Sequence, residues 1–151
     1  MIDQSDKNGL FLSCQSAASG RHAILEEQDG MVWLYLTASN ATKPERDCPA
    51  FTTRKPTTSV DWEQIKKTGE PPSITQDVAS CSAWVIDAKP AEFSAVWSSN
   101  GESVGIVRNG HIVCMIISGE RFGHSRAIAK ESPLGLPFDD DIARKTFPQS
   151  E

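Results

Sequence analysis

Two Asn-Gly dipeptides, Asn100-Gly101 and Asn109-Gly110, punctuate the most apolar stretch of this 151-residue chain and constrain it to a three-stranded antiparallel meander. Asn-Gly between alternating apolar runs favours a type I′ turn, whose two central residues both take positive φ. The turns set a register. With each dipeptide at the centre of its hairpin, Phe93 pairs with Arg108, Ala95 with Ile106 and Trp97 with Val104. In the second hairpin Arg108 pairs with His111, Ile106 with Val113 and Val104 with Met115. This predicts one face bearing Phe93, Ala95, Trp97, Val104, Ile106, Val113 and Met115, with Cys114 and Ile116 on the other.

A second β unit precedes the meander. Residues 10–16 read as a strand, and Asp29-Gly30 joins 22–27 to 31–37 in another two-residue hairpin. Its pairing puts Ala23, Leu25, Val32, Leu34 and Leu36 on one face, and Ile24, Glu26, Trp33 and Tyr35 on the other. Residues 38–59, rich in Thr, Pro, Lys and Asn, are expected to be a long loop or insertion. A short helix is expected at 60–67, strands at 82–86 and 123–129, and a C-terminal helix at 139–147 capped by Asp139. The fold class is therefore a single mainly β domain (β-rich α+β). It is a meander or sandwich of about seven or eight antiparallel strands with one or two short helices. Its core is expected to form around Leu25, Leu34, Trp97, Val104, Ile106, Val113 and Met115.

No apolar run approaches the roughly 20 residues of a membrane helix, and the polar start is unlike a signal peptide, so a cytoplasmic protein without a membrane partner is expected. A net charge of -5 disfavours nucleic acid, which needs clustered Lys and Arg, and suits a protein partner with a basic surface. The four cysteines, Cys14, Cys48, Cys81 and Cys114, are almost evenly spaced but share no sequence context and form no CxxC pair. Free, mostly buried thiols are the expectation, with no metal and no cofactor.

The densest polar cluster, Glu120-Arg121-x-Gly123-His124-Ser125-Arg126, offers two guanidiniums and an imidazole after the meander. Arg121 and Arg126 can clamp an anion while His124 moves a proton. Equally, such a group can be a charged strand edge that blocks unwanted pairing. Asp139, Asp140 and Asp141 suit a helix start, where acids complement the dipole, better than a magnesium site. Glu26, Glu27 and Asp29 cluster at a hairpin tip, a normal place for polar side chains. No nucleophile elbow or phosphate-cradling loop is present. Cys114 and His111 are expected to point to opposite faces unless a bulge intervenes.

The order Glu26-Glu27-x-Asp29-Gly30-x-x-x-Leu34-Tyr35-Leu36, Ala83-Trp84-Val85-Ile86, Val96-Trp97-Ser98, Asn109-Gly110 and Gly123-x-Ser125-Arg126, with Pro137-Phe138 and a terminal helix ending at Phe147, resembles a small bacterial family, domain of unknown function 2251. The resemblance runs from about His22 onward, and its motifs are structural. This chain departs from the family pattern at His124, where an aromatic is usual, and in the length of segment 38–80. It implies a bacterial origin and a fold, not a reaction.

Two functions from different classes follow. The first is a non-enzymatic protein-binding module, an immunity or inhibitor protein that neutralises a basic toxin or effector through Glu26, Glu27, Asp29, Trp33, Tyr35, Asp139, Asp140 and Asp141. The second is a small-anion-binding or hydrolytic enzyme that uses Arg121, His124 and Arg126. A deep pocket lined by those three favours the enzyme.

Overall fold

The computed structural model describes residues 10–56, 67, 75–76, 78–132 and 134–148. Two sheets account for most of them. The first has strand order β1-β2-β3-β4, from β1 (Phe11–Gln15), β2 (His22–Gln28), β3 (Met31–Thr37) and β4 (Pro44–Thr52). The second has order β5-β6-β7-β8-β9, from β5 (Phe93–Trp97), β6 (Val104–Arg108), β7 (His111–Ile116), β8 (His124–Ser125) and β9 (Leu136–Pro137). Pairing is antiparallel except between β8 and β9, which run parallel. A helix, α1 (Asp140–Thr146), closes the chain.

The sheets pack face to face as a sandwich around one shared core. Ala23, Leu25, Val32, Leu34, Leu36, Cys48, Ala50 and Phe51 come from the first sheet, and Phe93, Val104, Ile106, Cys114 and Ile116 from the second. Phe51 and Phe93 stack across it, ring centroids 5.4 Å apart. The alternation of apolar residues along β2 and β3 dictates this, since only one face of that hairpin is continuously apolar. A second cluster lies on the outer face of the second sheet, where Ala143 and Phe147 of the helical segment cover Ile112, Met115 and Ile117. Gly105 makes room there, because a β-carbon would lie 3.5 Å from the Phe147 ring and 3.2 Å from Ile112 and Val96.

The Asp29-Gly30 and Asn109-Gly110 turns take the positive φ values that a type I′ turn demands, 53° and 84°, then 51° and 85°. The β2–β3 and β5–β6 registers match those read from the sequence. At Asn100-Gly101 the pairing is as expected, but only Gly101 has positive φ, and the loop spans Ser98 to Ser103, closed by hydrogen bonds between those two residues.

Four expectations are corrected. A bulge shifts the β6–β7 register after Val107 pairs with Ile112, so Ile106 faces Cys114, Gly105 faces Met115 and Val104 faces Ile116. Cys114 and Ile116 therefore enter the shared core while Met115 faces the helix. Arg126 occupies the carbonyls at the bulge: its backbone N–H donates to Val113 at 2.9 Å and its Nε to Ile112 at 2.6 Å. Within 38–59, Pro44–Thr52 is a strand rather than loop. As a sheet edge it tolerates Pro44 and Pro49, whose missing N–H groups cost little at an edge or bulge, and a register shift falls beside Pro49. Segment 82–86 makes one bridge, Trp84 to Thr52, instead of a strand. Of 123–129 only His124–Ser125 is strand. The helix expected at 60–67 lies, Lys67 apart, outside the described residues.

Where β4 crosses β8, Gly123 is indispensable. A β-carbon there would sit 2.5 Å from Cβ and 2.6 Å from Sγ of Cys48, and 3.0 Å from the Met115 carbonyl. Gly123→Ala is expected to destabilise the fold by about 1–3 kcal/mol through overpacking, and Phe147→Ala by about 3–5 kcal/mol through the cavity it leaves; urea denaturation measures both.

Candidate functional site

The outward-facing positions of the first sheet meet in register. Tyr35 of β3 lies opposite Ile24 of β2 on one side and Asp47 of β4 on the other, and the next pair along is Glu26 with Trp33. The two aromatics have different surroundings. Trp33 is 5% exposed, packed with Met31, Ala83 and Ala127 under the loops that follow β4 and β8. It is therefore part of a second core layer, not a partner-binding aromatic, and its indole N–H is buried without an acceptor. Tyr35 is half-buried beside that cluster and reaches the surface between Glu26 and Asp47.

The electrostatics centre on Tyr35. Burial raises its phenol above the ordinary value near 10, and the Glu26 and Asp47 carboxylates push it further in the same direction. Asp47 is exposed overall, yet the surrounding chain desolvates its carboxyl and raises it above the usual 3.8. Among the described residues neither Glu26 nor Asp47 has a side-chain hydrogen bond or ion pair. Two uncompensated carboxylates thus flank one face-up phenol, a geometry that accepts a Lys or Arg side chain by ion pairing and cation–π contact.

The neighbouring acids have other tasks. Glu27 accepts from the Leu10 backbone N–H at 3.1 Å and the Thr53 hydroxyl at 2.6 Å, tying β1 and the end of β4 to β2. Asp29 is an exposed turn residue. Asp139 caps α1 by accepting from the N–H groups of Asp141 and Ile142 at 3.0 and 3.1 Å. Asp140 pairs with Arg126 at 3.0 Å and Asp141 with Arg144. This trio serves the helix start and its local ion pairs, far from a bare acidic patch.

The arginine-bearing turn does not converge on one pocket. Arg121 is exposed, its guanidinium 5.1 Å from the Phe122 ring centre. His124 is buried, with Nε2 2.7 Å from Glu120 Oε1 and Nδ1 3.1 Å from the Pro137 carbonyl. Both ring nitrogens face acceptor oxygens, so the imidazole is a clamp between strands rather than a free base. Arg126 lies 3.9 Å over the Phe138 ring and lines an open cleft of about 340 Å³ with His111, Phe138, Asp140 and Arg144. Of the three candidates, only Arg126 borders that cleft. The bulge removes the facing objection to a Cys114–His111 pair, but Cys114 is fully buried against Cys48 while His111 is exposed.

Three surface residues escape the sequence reading. Asp47 lies in what reads as a loop. Trp84 is 45% exposed and Ile86 71%, although their segment reads as a core strand. Trp84 donates to the Thr53 carbonyl at 3.3 Å, and Thr53 N–H to that of Gly30, which sets the indole beside the Asp29-Gly30 tip. Among the described residues no helix is long and apolar enough to cross a membrane, and no group of three or more His, Cys, Asp or Glu could hold a metal ion. No family model, curated protein or solved structure matches the chain.

Because folding raises the Asp47 carboxyl, its ionised form opposes folding: the penalty is absent below about pH 3.8 and grows as pH rises through the shifted value. Asp47→Asn is expected to match wild type in acid and to exceed it at neutral pH by less than about 1 kcal/mol, given its exposure. Glu27→Ala is expected to lose about 1–3 kcal/mol at neutral pH by orphaning its two donors. Denaturation across the pH range reads both.

Proposed function

We propose that the protein is a non-enzymatic binding module whose acidic, tyrosine-bearing sheet face captures a basic protein, and that it acts as an immunity or inhibitor protein against a basic toxin or effector. The observation behind this is the pair of unpartnered carboxylates, Glu26 and Asp47, on either side of Tyr35. Solvating neither with an internal cation leaves their charge for an incoming one, and the desolvated Asp47 gains most from it. The net charge of -5 steers a basic partner toward the same surface. Exposed Trp84 and Ile86 at the hairpin-tip end supply apolar anchors of the kind that dominate interface energies. A bacterial, cytoplasmic setting and kinship with domain of unknown function 2251 belong to the same proposal, supported by the sequence motifs quoted above. The hydrolytic alternative lacks comparable support, because Arg121, His124 and Arg126 serve separate structural contacts.

The decisive partner is the product of the reading frame beside this one. The wild-type chain is expected to co-purify with it, release it in high salt and restore growth to cells that express it. Glu26→Gln combined with Asp47→Asn should weaken that complex about tenfold or more without lowering thermal stability. Retained affinity in this double variant, or a partner with an acidic surface, overturns the assignment.

A further inference from the structure

Each sheet brings one fully buried cysteine to the shared core, Cys48 from β4 and Cys114 from β7. Their thiols are hydrogen-bonded to each other across the sandwich. Cys48 Sγ also lies 3.4 Å from the carbonyl of His124, the residue before Ser125, and Ser125 is the register partner of Cys114. The Ser125 hydroxyl donates in turn to the Ala50 carbonyl at 3.3 Å. Gly123, with no space for a β-carbon, holds the sheets at this separation. Two sulfurs far apart in sequence are thus fixed side by side at the closest approach of the two layers. Cys14 and Cys81, by contrast, are exposed.

We propose that Cys48 and Cys114 form a latent inter-sheet disulfide site, closed during folding by exchange with a small-molecule disulfide. In the open chain the thiolate of one cysteine attacks the small disulfide, forming a mixed disulfide and releasing one small thiolate, which takes up the proton. The sulfur of the other cysteine then displaces the second small thiol as the sheets meet. Two protein thiols are oxidised to one cystine, and one small disulfide is reduced to two thiols. In the closed sandwich burial and the neighbouring thiol push Cys48 up and hold it protonated, so the reduced pair is inert once folded. The bridge, once made, is equally shielded from reductants. It also ties chain segments that lie far apart, which restricts the unfolded ensemble.

A Cys14→Ser/Cys81→Ser variant, with its exposed thiols removed, provides the test. It is refolded from denaturant in a mixture of reduced and oxidised glutathione and, separately, exposed to the same mixture after folding. The expected results are an intact mass lower by two hydrogens for the refolded sample, a Cys48–Cys114 linked peptide after digestion, and a Tm several degrees above the reduced form. The prefolded sample should keep both thiols over the same period. Two free thiols after oxidative refolding, or a bridged form no more stable than the reduced one, overturn the site, and equally fast oxidation of the prefolded sample overturns its closure during folding. Peptide mapping of the wild-type chain under the same conditions repeats the measurement without any substitution: a Cys48–Cys114 link supports the site, and its absence overturns it.

Discussion

The close passage of β4 over β7 and β8 is the contact on which the other layers depend. Gly123 gives up a side chain so that Cys48 can lie against the opposite sheet, and Ser125 bonds directly to the β4 backbone. With β8 pinned there, the chain beyond it runs round the β4 edge and brings Ala127 over Met31 and Trp33. Returning, it adds β9 beside β8 and lays Phe147 on Gly105. One tight crossing therefore decides which half of the first sheet's outer face is covered and which half, around Tyr35, meets solvent.

Hairpins were legible wherever alternation and turn chemistry agreed. The Asp29-Gly30 pair specified the whole β2–β3 register, because slipping it by one residue would have buried Glu26 and exposed Leu25 and Leu34. The β6–β7 bulge was not legible, since nearly every residue of β7 is apolar and either register buries a hydrophobic set. Its cause lies far along the chain, in the Arg126 groups that bind the Ile112 and Val113 carbonyls. β4 was hidden by its prolines and charges, which an edge strand accepts and a central strand does not.

The site divided along the same line. Glu26 and Tyr35 were visible because they sit on a well-specified hairpin, and Asp47 was not because its strand was not. Sequence chemistry treats Trp33 and Trp84 alike. Tertiary cover separates them, burying the first beneath Ala83 and Ala127 and leaving the second at the surface. Likewise nothing in the order of Arg121, His124 and Arg126 reveals that the imidazole clamps Glu120 to the Pro137 carbonyl while one guanidinium faces solvent.

Each sheet is built from a contiguous stretch of chain, β1 to β4 first and β5 to β9 later. During synthesis from the N-terminal end, the first sheet can zip up from its own hairpins while its greasy side has nothing to lie on. The lid for that side leaves the ribosome only with the second half, and it seats fully only after Gly123 has emerged. The nascent protein therefore passes through a stage with an open, sticky half-sandwich, in which a translational pause between residues 52 and 123 would lengthen the period when a chaperone is its only cover.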